Sequence, residues 1–355
     1  MPPFLQFLIR RLFAALVSAI VITMVLFAGA MLAPPEERAK IYMPTVKGEV
    51  FSTEKMIENV IRKYHMDEPY LVQYVYWVRS LFDGTWGYSP NLNGNVMPTL
   101  IRRTPATLEI AFYSLLLLIP LGLASGLYSG WKPGSRLDGW FRAGAYLGTS
   151  MPPFIFSMFA LAVFYVRLSW FAPGRLDPTT EYQLTKTAFQ AYTGALTLDA
   201  LLNGRFDIFL KALQHLAMPV MTLAMFHWAT LGRVTRATVL NERRKEYIIA
   251  ARARGVNERT LLWRHALRPI LAPSLTTMAL SAASIVTGVY VVEIIFGIAG
   301  LSNVIVASMQ TTAPDAAAAL GFAVYSVLMV IGLMLVMDLI QAVLDPRVRD
   351  EVLKS

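Results

Sequence analysis

The residues best placed to do chemistry lie between 246 and 273, in the run EYIIAARARGVNERTLLWRHALRPILAP. Glu246, Ala250, Ala251, Arg252 and Gly255 set out a Glu-x-x-x-Ala-Ala-Arg-x-x-Gly core, with Arg254 inside it. The chemistry on offer is contact rather than bond-making. Small side chains at Ala250, Ala251 and Ala253 let a helix approach a partner closely. Gly255 is placed to end that helix in a left-handed conformation. Arg252 and Arg254 favour the negative end of its dipole. Asn257 is a candidate N-cap for a second short helix through Leu261, Leu262 and Trp263. Pro269 and Pro273 then open an apolar run, in or near a first helical turn where proline is tolerated. The stretch predicts a docking loop.

Catalytic constellations are absent from the sequence. There are no cysteines, which removes disulfides, thiolate nucleophiles and Cys-ligated metals. No Gly-x-x-x-x-Gly-Lys-Ser/Thr phosphate loop occurs, so any ATP must bind elsewhere. His215 and His227 stand twelve residues apart in one apolar run. That spacing makes no metal pair, and helix-packing hydrogen bonds are the favoured expectation over a proton relay. Ser157 has no supporting partner spacing. Glu293 and Asp338 sit at the ends of apolar runs, where each either lines a pathway or reaches the interface. Glu109, close to Arg102 and Arg103 in sequence, suggests a local ion pair.

The elements that must position the loop are membrane spans. Mean hydropathy is +0.50 and 55% of residues are hydrophobic, which points to a bilayer as solvent. Crossing the hydrocarbon core takes about 20 apolar residues. Six uncharged runs meet this, at 12–33, 110–131, 143–166, 212–232, 269–292 and 316–337. The first follows Arg10 and Arg11 and reads as a retained span rather than a signal peptide. A weaker run at 294–314 is expected to be a short helix dipping into the outer interface, as irregular segments can where protein or water covers them. Pro120, Pro152, Pro153 and Pro219 are expected kink sites.

Charge orients these spans. The 233–268 loop holds ten basic residues, Arg233, Arg236, Arg243, Arg244, Lys245, Arg252, Arg254, Arg259, Arg264 and Arg268, against Glu242, Glu246 and Glu258. The 132–142 loop has Lys132, Arg136 and Arg142 against Asp138. The long loops of the opposite side are nearly neutral, with Arg102 and Arg103 as exceptions. Six spans with both termini cytoplasmic satisfy this pattern. The expected organisation is an N-terminal segment and first span (1–34), an outer loop with an amphipathic helix (35–106), and a core (107–355) with an outer loop at 167–211 and the cytoplasmic loop at 233–268. In the first outer loop, Tyr70, Tyr74, Tyr76, Trp77 and Phe82 suit either an interfacial helix or a small cap whose aromatics pack together.

The docking core, HALRP at 265–269, PATLEIA at 105–111, SMPPF at 150–154, VEIIFGIAGL at 292–301 and LDPRVR at 344–349 together resemble the permeases of the dipeptide/oligopeptide family of binding-protein-dependent ABC importers. The arginine-rich start and long first outer loop look like the B-type subunit. Ala299 stands where the family usually has proline. The resemblance implies an all-α type I ABC importer permease fold with six transmembrane helices. It implies no ATP site and no cofactor in this chain, with ATP and Mg held by partner ATPases. The implied partners are a second, C-type permease, two ABC ATPases, an extracytoplasmic substrate-binding protein and the lipid bilayer, with no nucleic acid. It further implies a bacterial or archaeal inner membrane, and peptide cargo, though relatives also carry nickel, glutathione or sugar-derived compounds. Glu246, Ala250, Ala251, Arg252, Arg254 and Gly255 become ATPase-coupling contacts. Glu293, Met151, Pro152 and Phe154 become candidates for the pathway or gate.

Two other classes compete. An ion-coupled secondary transporter needs ionisable residues at membrane depth, and the six runs have uncharged centres. A membrane-embedded hydrolase needs a Ser/His or metal constellation, and none is spaced for it.

Overall fold

In the computed structural model, residues 3–40, 42, 53–309 and 315–344 are described. The LDPRVR motif lies almost wholly outside them. Among the described residues the protein is all-α apart from one short hairpin. Two compact units form, Met1–Pro105 with Ala299–Ile331, and Ala106–Ile298 with Gly332–Ser355.

The first unit opens with α1 (Pro3–Ala30), whose stretch Ile9–Ala30 is long and apolar enough to span a membrane. Its large apolar side chains, Leu12, Phe13 and Leu16 among them, are exposed, as lipid-facing residues are. Then come α2 (Pro35–Lys40), α3 (Thr53–Lys63) and α4 (Tyr70–Phe82). The amphipathic stretch is thus two helices, not one. Tyr70, Tyr74 and Trp77 close around the buried Phe27 of α1 with ring centroids 5.6, 5.5 and 5.3 Å away. Those three aromatics form a packed cap, whereas Phe82 stays exposed. The strands β1 (Tyr88–Ser89) and β2 (Gly94–Asn95) pair antiparallel and lead into α5 (Val96–Trp131). Ser89 Oγ donates to Asp315 Oδ2 at 2.6 Å. The other oxygen of Asp315 accepts the Ala318 amide at 3.0 Å, capping a later helix, α15 (Ala316–Leu344). The run at 294–314 yields α14 (Ser302–Met309), too short to span; residues 310–314 lie outside the described set.

The second unit is built on α10 (Phe206–Glu242) and α13 (Leu267–Phe296), both of spanning length. Leu223, Leu231, Ile285, Val289, Val292 and Phe296 form its core with Ile110 and Leu118 of α5. Glycines set the α5–α10 approach: a Cβ on Gly126 would lie 2.6 Å from the Gly232 carbonyl, and one on Gly130 2.6 Å from Val239. Such contact suits helices that associate without a hydrophobic drive of their own.

The run at 143–166 is not one straight span. It is α6 (Arg136–Ser150) and α7 (Pro153–Ala160), the latter continuing through a wider turn at Leu161–Arg167, bent by 102° at the break. Pro152 and Pro153 explain it. Neither has an N–H, so the carbonyls one turn earlier lose their donors. Pro120 and Pro219 lie inside continuous helices instead. Counting the bent pair as one gives six candidate spans.

Between α7 and α10 the connecting loop carries α8 (Pro178–Lys186) and α9 (Leu196–Leu202). It is anchored by Glu109, which accepts Arg175 Nη2 at 2.7 Å and both the amide and hydroxyl of Thr197 at 2.6 Å. Arg175, far away in sequence, is the ion-pair partner of Glu109, correcting the local expectation.

Candidate functional site

The 246–273 run forms the short helix, the glycine turn and the Asn-capped second helix expected of it. The chain leaves α10 through a turn at 243–245 and enters α11 (Glu246–Ala253), with Arg254 at its C-terminal end. Gly255 follows at φ +83°, its amide donating to Arg252 O at 3.0 Å while Val256 N reaches Ala251 O at 3.2 Å. Only glycine takes that backbone without a Cβ penalty. Asn257 Oδ1 then accepts the Thr260 amide at 2.8 Å, capping α12 (Glu258–Thr260). A wider helical turn, Leu261–Ala266, joins it to α13.

Burial of one side holds the loop against the helix ends. Ile248 is fully buried among Leu127, Trp131, Val239, Leu261, Ala266 and Ile270. Burying such a side chain contributes about 1.5–3 kcal/mol. Charged groups brace the rest. Glu242 is buried and takes the Tyr247 hydroxyl and, at 2.7 Å, Lys245 Nζ. Arg243 donates to Gly130 O at 3.3 Å and lies over the Trp131 ring at 5.5 Å. Burial lowers its pKa. Arg252 forms a two-pronged pair with Glu258, at 2.5 and 3.1 Å, which raises the Arg252 pKa.

The opposite side of α11 is exposed: Glu246, Ile249, Ala250, Ala253, Arg254 and Gly255. The small-residue patch therefore divides. Ala250 and Ala253 face outward, whereas Ala251 packs on the Ile248 cluster. Ile249, to which the sequence assigned no role, and Trp263, placed only as part of the second helix, are 53% and 58% exposed. Their signal was available, since large apolar residues in an otherwise basic loop need a cover.

The other expected residues are not part of this loop. Met151 and Phe154 flank the α6–α7 break and are 42% and 47% exposed. Met151 lines an apolar hollow of about 200 Å³ with Pro153, Phe156, Met225 and Phe226, while Pro152 makes the break itself. Glu293 is fully buried and accepts the Thr107 hydroxyl, so its carboxylate faces packed protein rather than an open mouth. His215 and His227 are both buried. The expected packing hydrogen bonds do not form among the described residues: His215 Nδ1 has no partner there, and His227 packs edge-on against Phe226.

Residues 119–350 match the family described as the binding-protein-dependent transport system inner membrane component, and residues 4–111 match its N-terminal companion. The chain belongs to this family. Its relatives include the probable D,D-dipeptide transport system permease protein DdpB of Escherichia coli, 33% identical over 84% of this chain and 85% of that protein. The oligopeptide transport system permease protein AppB of Bacillus subtilis is 28% identical over 96% and 98%. The di/tripeptide transport system permease protein DppB of Pseudomonas aeruginosa is 29% identical over 84% and 86%. The chain is accordingly a multi-pass permease subunit of an ATP-driven importer, with the type I permease fold. Binding-protein-dependent permeases of this kind work with an ATPase and a substrate-binding protein.

Proposed function

We propose that this permease imports peptides and that α11 is the element through which ATP drives it. In this reading the chain is the B-type half of the pathway and pairs with a C-type permease. An extracytoplasmic binding protein delivers the peptide. Two ABC ATPases hold the ATP and Mg, and one of them receives α11 in a groove. The membrane is a bacterial or archaeal inner membrane, with both termini cytoplasmic. The basic 233–268 loop supports that orientation through the positive-inside rule.

The observation that carries the coupling role is the two-sidedness of α11. Ile248 roots it in the ends of α5, α10 and α13, and a face with two alanines projects beyond. Glu246, Ala250, Arg254 and Gly255 supply that face. Ala251 and Arg252 hold it rigid, Arg252 through Glu258. A lever needs such a root: closing the ATPases biases an equilibrium between two arrangements of the spans, and a soft connection would transmit nothing. Met151 and Phe154, at the break in the third span, are the residues assigned to the pathway. Irregular backbone at membrane depth is tolerated where it lines a cavity. Glu293 serves as a packing anchor.

The test is co-purification of the chain with its neighbouring gene products, as wild type and as Gly255→Pro with Glu246→Ala. An ATPase that follows the wild type and is lost from the folded variant is the expected result. A chain that never recruits an ATPase, or a variant that retains it fully, overturns the assignment.

A further inference from the structure

Arg102 and Arg103 occupy a position that stability does not explain. They are adjacent on α5, and both line one cavity of about 340 Å³ in the first unit. The other lining side chains are Asn91, Thr99 and Asn303 together with apolar residues, and no carboxylate is among them. Arg103 Nη1 donates to the Ala299 carbonyl at 3.1 Å, which fixes its guanidinium. Arg102 is exposed and makes no ion pair or hydrogen bond among the described residues. Two like charges side by side repel, and the charge pattern places both on the side where basic residues are disfavoured. Arg103 has a structural use in its bond to Ala299, but Arg102 has none among the described residues. An anion between them would offset the repulsion, and paired guanidinium forks suit a carboxylate.

We propose that this cavity is a reception site for the free C-terminal carboxylate of a peptide. Arg102 and Arg103 bind the carboxylate, and Asn303 offers a hydrogen bond to the adjoining amide. A concave pocket with a few convergent polar groups suits a small ligand better than a flat docking surface does. The proposal rests on peptide cargo and on the outward placement of α5's first turns, but its test does not require an ATPase.

The chain has no cysteine, so one introduced at the cavity is a unique label. Ala307→Cys is a small change on the cavity wall, and Val306→Cys is a second position should the first perturb the site. Maleimide labelling of the full chain in detergent is timed with glycylglycine, glycylglycine amide or acetate present. Glycylglycine at about four times its Kd should slow labelling about five-fold by simple occupancy. The amide should give little protection, and Arg102→Gln with Arg103→Gln should abolish it. Equal protection by the dipeptide and its amide, protection that survives the double substitution, or no protection by the dipeptide overturns the proposal. Acetate protecting as well as glycylglycine reduces the cavity to a simple anion site and overturns the peptide assignment. Failure to recruit an ATPase in the co-purification would sink the importer reading while leaving this labelling pattern intact, so the two fail separately.

Discussion

Asp138, which is buried, and Arg236, which is half-buried, form an ion pair that ties the start of α6 to the last turns of α10. Arg236 Nε lies 2.8 Å from Oδ1 and Nη2 3.2 Å from Oδ2, with Asp138 only 1% exposed. Ser129 Oγ on α5 and the Gly134 amide complete the carboxylate's shell. Three helix ends converge here, and α10 runs on from this point to the turn before α11. Removing one partner of a fully buried pair costs about 3–5 kcal/mol, and the partial exposure of Arg236 reduces that cost here. Asp138→Ala should therefore lower the unfolding midpoint of the purified chain, and Arg236→Met in the same chain should restore part of it. A single Asp138→Ala variant with an unchanged midpoint would show that the carboxylate is not holding these ends.

The close α5–α10 approach makes a different kind of prediction. Gly126→Ala must push against the Gly232 carbonyl, which is backbone and has little room to move. Overpacking of this sort costs about 1–3 kcal/mol. Gly29, on α1, has nothing within 4 Å of an added Cβ and provides the control. Gly126→Ala should unfold at lower temperature than wild type, while Gly29→Ala should match or exceed it because alanine is the better helix former. Equal behaviour of the two variants would contradict the packing.

How far these features were legible in the sequence differs from residue to residue. Gly255 and Asn257 could be placed because helix ends obey local rules, and the structure puts one at φ +83° and the other on an N-cap hydrogen bond. The spans were legible because the bilayer sets a minimum apolar length. The 102° bend was only half legible, since Pro152 and Pro153 mark a break but four prolines looked alike. Two of them turned out to lie inside continuous helices. Asp138 read as one acid in a basic loop, and Glu109 was paired with its sequence neighbours. Their true partners, Arg236 and Arg175, are 98 and 66 residues away. Nothing periodic in the chain encodes contacts at that range. The exposed face of α11 was similarly hidden, because which alanine turns inward depends on where Ile248 is buried.

The loop between α7 and α10 offers a test in pH. Asp177 caps α8, accepting the Thr180 amide at 2.8 Å and the Thr179 hydroxyl. These hydrogen bonds, led by that from Thr179, hold its carboxyl well below the ordinary carboxylate range. A depressed folded value means the cap's contribution is fully present above the unfolded pKa and is lost only as pH falls through the folded one. Amide exchange protection of α8, corrected for intrinsic rate, should thus stay constant from about pH 7 down to about pH 4 and weaken only below it. Asp177→Ala should show weaker protection throughout that window. A wild-type loss of protection already near neutrality would refute the cap.

Gly255 gives the most direct test of the docking loop's mechanics. At φ +83° an ordinary L-residue pays about 1–2 kcal/mol, while asparagine tolerates the left-handed region better than alanine does. Open space surrounds the position, so any cost of Gly255→Ala comes from backbone conformation alone. Proline is worse on two counts. Its ring fixes φ near −65°, and it removes the amide that donates to Arg252 O. Coupled uptake by the assembled importer should consequently fall in the order glycine, asparagine, alanine, proline. The unfolding midpoint of the isolated chain should move much less, because the Ile248 cluster and the spans do not depend on that turn. Uptake that is flat across the series would mean α11 transmits nothing through its C-terminal end. Uptake falling in step with the midpoint would mean the glycine serves folding rather than coupling.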